Sequence, residues 1–186
     1  LDNYRQAKAQ LFAQLGQTGS KGGPRTAVLN ADDPSSKEMQ AATSANVLTY
    51  AVHSPADITA DDIEIRVQEA AFTLKTPVGQ KRVHLHTTGL FSVYNALAAS
   101  GVGLCQGVDL DTIASALQDM PGVPGRFEQV KCGQDFAVIV DYAHTPDGLE
   151  NILRTAQEFA AGRIILVFGC GGDRDRTKRP IMGRLG

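Results

Sequence analysis

The chain has 186 residues, a formal net charge of −2, 42% hydrophobic and 20% charged residues; that is an ordinary globular composition with enough length to bury a substantial core. A balance this close to neutral excludes a general nucleic-acid or anionic-membrane binder, whose footprint is strongly basic. Three widely spaced cysteines, Cys105, Cys132 and Cys170, exclude a disulfide framework and a Cys-x-x-Cys zinc site.

No apolar stretch is long enough for a bilayer and no signal peptide is present, so a reducing cytoplasm is the expected setting. The chain lacks an initiator Met and stops at Gly186, just after a basic glycine-rich segment. Both ends are expected to be internal to a longer protein.

In chain order, residues 4–15 have helical spacing, with Leu11, Phe12 and Leu15 on one stripe and Asp2 or Asn3 available as a cap. Lys8 precedes those three by three, four and seven residues, which places its stem on the apolar face. On residues alone it reads as a snorkelling lysine. The glycine-rich run at 16–23, GQTGSKGG, lacks the spacing and the preceding strand of a phosphate-binding loop and is expected to be a surface loop. A short strand follows at 26–29, with Asp32 and Asp33 at its carboxyl end. Two acids there suit a ligand or metal, yet Asp33-Pro34 is an ordinary turn and helix start, and that reading is favoured.

Residues 47–52 read as a strand and 63–85 as an antiparallel meander added to an α/β domain, since IEIRV, AFTLKT and KRVHLHT alternate with period two. His84 and His86 share one face of the last strand, with no third ligand nearby, so that face is expected to be solvated. Residues 89–106 form an apolar, alanine-rich helix containing Asn95, which needs a backbone group or a ligand as partner. A second helix spans 109–120. The run PGVPG at 121–125 then breaks the pattern and marks a domain boundary.

Beyond it the pattern predicts a β-α-β unit. The run at 136–140, FAVIV, is apolar and β-rich, as in a parallel strand buried on both faces. It delivers Asp141 and His144 to the carboxyl end of the sheet, where α/β folds bind ligands. A helix at 146–161 follows, with Thr145 as N-cap, Pro146 in its first position and Asp147 in the first turn, then a strand at 163–168. The segment 169–180, GCGGDRDRTKRP, combines glycines with Arg174, Arg176, Lys178 and Arg179, a charge suited to phosphate or carboxylate. It is not a dinucleotide fingerprint, because Arg174 replaces the last glycine of G-x-G-x-x-G.

The motifs YRQAKAQLF, VLNADDP, GLFSVYNALAA, VPGRFE, DYAHTPDGLE and VFGCGGDRDRTKRPIMG, in this order, resemble the Mur ligases of peptidoglycan synthesis, in particular those that add the third amino acid. The resemblance implies an α/β chain: the end of a P-loop-type central ATP-binding domain (1–122) joined to the start of a Rossmann-like C-terminal domain (123–186). It also implies ATP and Mg2+ as cofactors. The implied reaction is ATP-dependent amide bond formation on UDP-MurNAc-L-Ala-D-Glu through an acyl phosphate, by a monomeric cytoplasmic parent.

By the same resemblance, Lys8 is the lysine carbamoylated by carbon dioxide to bind magnesium. Asn95, Arg126, Asp141 and His144 contact ATP, and Arg174 grips the carboxylate of the incoming amino acid. The KRP around Arg179 is similar to members that use meso-diaminopimelate. Ser92 stands where many members have an asparagine. The P-loop, the domain for the UDP moiety and the later Asp-Asn-Pro-Arg segment are not among the 186 residues, so the isolated chain is expected to be inactive. Alternatives are a lysine-adding member, a folylpolyglutamate- or cyanophycin-type amide ligase, or a non-catalytic nucleotide-binding module.

Overall fold

A computed structural model describes residues 2–15, 25–66, 68–171 and 175–186. The glycine-rich run at 16–23 lies outside the described residues. Helix α1 (Asp2–Leu15) precedes strand β1 (Thr26–Asn30), helix α2 (Ser36–Ala42) and strand β2 (Asn46–Ala51). Strands β3 (Ile58–Ile65), β4 (Ala70–Thr76) and β5 (Gly79–Leu85) follow, then helices α3 (Leu90–Cys105) and α4 (Leu110–Asp119).

The five strands form one sheet in sequence order. β1 and β2 run parallel, from Thr26 opposite Asn46 to Asn30 opposite Tyr50, and α2 supplies the crossover. β2 meets β3 only at its end, where Tyr50 lies opposite Ile58. The bend between them is tied by Asp57, whose carboxylate accepts from the Thr49 amide and hydroxyl, each at 2.7 Å. From there β3, β4 and β5 are the expected antiparallel meander, joined by Leu74–Lys81 and Ala60–Leu74 pairings among others. β3 begins at Ile58, five residues before the predicted start, because its first residues continue the edge of β2 instead of alternating in a free hairpin.

The core lies between this sheet and α3 with α4. Ile58, Phe72, Leu74, Val83, Val93 and Leu97 are fully buried there, each contributing about 1.5–3 kcal/mol relative to exposure. Helix α3 turns Ser92, Val93, Ala96, Leu97, Ser100 and Gly101 to the sheet. The buried hydroxyls of Ser92 and Ser100 donate to the carbonyls of Thr88 and Ala96, both at 2.7 Å, so no polar group is stranded. Gly101 is required by contact: a Cβ there would sit 2.8 Å from the Val28 side chain. α4 begins at Asp109, whose carboxylate accepts from the Thr112 amide at 2.9 Å.

Helix α1 packs differently from its predicted stripe. Ala9, Phe12 and Leu15 lie against Ala27, Leu29 and Met39, while Leu11 is 65% exposed. The buried line therefore runs at i, i+3, i+6, and Lys8, four residues before Phe12, is exposed. Arg5 fastens α1 to α2 through Glu38 at 2.7 Å.

After α4, residues 120–127 carry neither helix nor strand. The strands that follow are two-residue pieces, β6 (Glu128–Gln129) and β7 (Ile139–Val140), paired antiparallel. Helix α5 (Pro146–Phe159) and helix α6 (Lys178–Leu185) complete the fold. Thr145 caps α5 as predicted, its hydroxyl accepting from the Gly148 amide at 3.2 Å. The expected β-α-β unit is not formed. Only Ile139 and Val140 of the run at 136–140 pair, and residues 163–168 form no strand; Phe136 is 65% and Val167 92% exposed. The physical reason is a lack of neighbours. A doubly buried parallel strand needs partners on both edges and helices on both faces, and the described residues supply only β6 and α5. Helix α6 was not predicted: it starts at Lys178, inside the segment expected to be loop, and buries Met182 between α5 and residue Cys170, whose Sγ lies 3.6 Å from the methionine sulfur.

Candidate site at the carboxyl end of strand β7

Strand β7 ends where Asp141 begins a tight, highly hydrogen-bonded turn. The two carboxylate oxygens of Asp141 accept from the amides of Phe127 at 2.8 Å and Ala143 at 2.7 Å. The Tyr142 amide donates to the Gly125 carbonyl at 2.8 Å. Two stretches fifteen residues apart in sequence are thereby sewn together, which brings Arg126 over the Tyr142 ring, 5.3 Å from guanidinium carbon to centroid. An arginine over an aromatic face is attracted by the ring quadrupole and held in plane. His144 meets the same ring edge-on at 5.1 Å.

Arg126, Asp141 and His144, all predicted from sequence, are therefore one constellation. The His144 Nδ1 lies 3.0 Å from the Tyr142 carbonyl. A carbonyl can only accept, so Nδ1 carries the hydrogen in this contact. Lys178, first residue of α6, donates to the His144 carbonyl at 2.9 Å. That bond brings the basic segment back to the turn. Tyr142 was missed as a site residue, the aromatic between Asp141 and His144 being the available signal; Lys178 was expected as part of a basic anion-binding segment, and its bond to His144 was not.

Asn95 is exposed on the solvent side of α3, on the same face as Phe91 one turn earlier. Of the two expected partners, a backbone group is not required, since water satisfies an exposed amide. Ser92 points the other way, into the sheet, and does not share the Asn95 face. α3 reaches the constellation through Phe91, whose ring lies 5.8 Å from that of Phe127.

Lys8 stands apart from this group. It is exposed on α1, its Nζ 5.2 Å from the Tyr4 ring centroid. The open setting leaves space for a carboxylate-like extension of the side chain. Among the described residues no cluster of three or more His, Cys, Asp or Glu side chains could hold a metal ion. Arg174 lies outside the described residues.

The acidic pair after β1 is structural, as favoured from sequence. The Asp32 carboxylate accepts from the amides of Val52 (2.7 Å), His53 (3.0 Å) and Ser54 (2.8 Å) and from the Tyr94 hydroxyl at 2.7 Å. Burial opposes its charge, yet the hydrogen bonds from Ser54, Tyr94, His53 and Val52 outweigh it and hold the carboxyl far below the usual range. Burial and the Asp32 partner push the Tyr94 hydroxyl up. Asp33 accepts from the Ser35 amide at 2.8 Å and opens α2. His84 on β5 and His86 just beyond its end are exposed, alternating with buried Val83 and Leu85, as expected.

Residues 1–103 match the Mur ligase middle domain and residues 125–186 the Mur ligase glutamate ligase domain. The chain belongs to the Mur ligase family. Among its relatives are proteins named UDP-N-acetylmuramoyl-L-alanyl-D-glutamate--2,6-diaminopimelate ligase from Bacillus velezensis and Bacillus cereus, 49% and 50% identical over 185 residues. Each alignment covers 100% of this chain and 38% of the relative, so the chain spans well under half of those Mur ligases. A solved structure of a ligase with the same name superposes over 99% of this chain and 37% of its own, with a TM-score of 0.70 and 32% identity. No helix among the described residues is long and apolar enough to cross a membrane.

Proposed function

We propose that this chain is the part of an ATP-dependent amide ligase that joins the late central domain (1–122) to the opening of the C-terminal domain (123–186). The parent would add meso-2,6-diaminopimelate to UDP-MurNAc-L-Ala-D-Glu in cytoplasmic peptidoglycan synthesis. The observation that carries this reading is the near 50% identity, along the whole chain, to ligases named for that amino acid.

The geometry supports a division of labour. Arg126, fixed by the Tyr142 ring, offers a planar cation to phosphate oxygens. Asp141 spends one lone pair per oxygen on backbone amides and keeps others for ribose hydroxyls. His144, edge-on to the Tyr142 ring, offers its imidazole to a further hydroxyl beside it. Asn95 contributes its amide to the base from the α3 side, and Lys8, once carbamoylated, becomes an oxygen donor. Magnesium, when bound there, neutralises phosphate charge so that the carboxylate can be phosphorylated. The remaining task is to hold two anionic substrates together, which suits fixed cations more than a protein nucleophile.

Arg174 is assigned to the carboxylate of the incoming amino acid. Arg174→Ala in the full-length ligase is expected to raise KM for diaminopimelate about 10- to 100-fold with KM for ATP within about twofold, because one charge-assisted bidentate contact is lost. An equal rise for both substrates would make Arg174 a phosphate ligand and remove it from amino-acid selection.

A further inference from the structure

We infer that Phe127 is a positioning residue that holds the nucleotide-binding groups of the two domains in one frame. The inference rests on the proposed nucleotide site. Phe127 is bonded to Asp141, follows Arg126 in the chain and packs against the helix that carries Asn95. Its amide donates to the Asp141 carboxylate at 2.8 Å, and it directly follows Arg126 in the chain. Its ring meets that of Phe91, one turn before Asn95 on the same face of α3, at 5.8 Å with a 55° tilt. On its other side the ring meets Phe159 of α5 edge-on at 6.0 Å and 85°.

Three further observations set Phe127 apart from an ordinary core aromatic. It is 6% exposed although its chain neighbours Arg126 and Glu128 are exposed. Its φ is +47°, a left-handed conformation uncommon for a non-glycine residue, and sites where surroundings impose such a backbone cluster at functional centres. The helices it joins approach closely: a Cβ at Gly89, the cap of α3, would lie 3.0 Å from the Thr155 side chain of α5. The ring is thus wedged where the middle-domain and C-terminal matches meet, and the left-handed turn aims its amide back at Asp141. Moving Phe127 would shift Arg126 and Asp141 relative to Asn95 without touching the nucleotide.

The test uses the full-length ligase with ATP, UDP-MurNAc-L-Ala-D-Glu and diaminopimelate as probes. Phe127→Leu, which keeps apolar volume and loses both ring–ring contacts, is expected to raise KM for ATP about 5- to 10-fold, the scale of two aromatic pairs. The other two KM values stay within about twofold. Phe91→Leu, at a partly exposed position with little folding risk, is expected to raise KM for ATP about 2- to 5-fold. The double variant should then exceed Phe127→Leu hardly at all, since both act through one contact. A melting temperature that falls while KM for ATP stays put, or an equal rise in all three KM values, overturns the positioning role. If Phe127→Leu does not fold, the KM split of Phe91→Leu decides alone. Asp141→Asn separates the two levels: unchanged KM for ATP in that variant removes the nucleotide reading itself, whereas a raised value with a silent Phe127→Leu removes only the role of Phe127.

Discussion

Asp32→Ala is expected to lower the unfolding free energy by about 2–4 kcal/mol at neutral pH, because three backbone amides and one tyrosine hydroxyl lose a charged acceptor together. The carboxylate joins the end of β1, the β2–β3 bend and α3 through Val52, His53, Ser54 and Tyr94. Asp32→Asn would keep the shape but turn an amide NH2 toward donors, and is expected to recover little. The pH dependence follows from the sign of the shift. The folded-state carboxyl is held far below the ordinary aspartate value of 3.8, so its contribution is fully present above that value. As pH falls below it the unfolded chain takes up a proton that the folded chain refuses, and stability declines. The gap between wild type and Asp32→Ala, measured by urea unfolding, should be constant from pH 7 to 5 and close progressively below pH 4. A gap that widens on acidification would mean the carboxylate is not the stabilising group.

Lys8→Ala in the full-length ligase is expected to lower kcat by about 100-fold or more, the scale of losing one preorganised electrostatic element at a phosphoryl-transfer centre. Its exposure on α1 makes a purely structural loss small, so the melting temperature should move little. Acetate or another short carboxylate is expected to restore part of the activity by standing in for the carbamate. Full activity in the variant without added carboxylate would remove Lys8 from the mechanism. The Lys8 Nζ lies 5.2 Å from the Tyr4 ring centroid, a ring face that attracts a cation and would repel a carbamate anion at the same atom.

Much of the architecture was legible because local signals were decisive. The Ala-rich α3, the period-two meander and the Thr145-Pro146-Asp147 start of α5 each follow from propensity and capping chemistry that does not depend on distant partners. The runs at 136–140 and 163–168 were misread for the opposite reason. An apolar, β-branched run reports an affinity for a sheet, and whether a strand forms depends on neighbours elsewhere in sequence. With β6 as its one partner, β7 extends over Ile139 and Val140 alone, and Val138, Ile165, Val167 and Phe168 are left exposed.

The site was legible in a similar way. Arg126, Asp141 and His144 sit in short motifs and come together as expected. Phe127 did not stand out and the partners of Asp32 could not be read, because a left-handed φ and hydrogen bonds reaching 20 to 62 residues away leave no local trace. The Leu11 error is instructive too: a helix stripe with two candidate lines was resolved by Met39 and Ala27, which the periodicity of α1 alone does not contain.

The most direct measurement is product analysis of the full-length ligase supplied with UDP-MurNAc-L-Ala-D-Glu, ATP and meso-diaminopimelate. One ADP and one phosphate are expected for each tripeptide formed, with diaminopimelate preferred over lysine. ATP hydrolysis without an amide product, or nucleotide binding with no turnover at all, would contradict the proposed function.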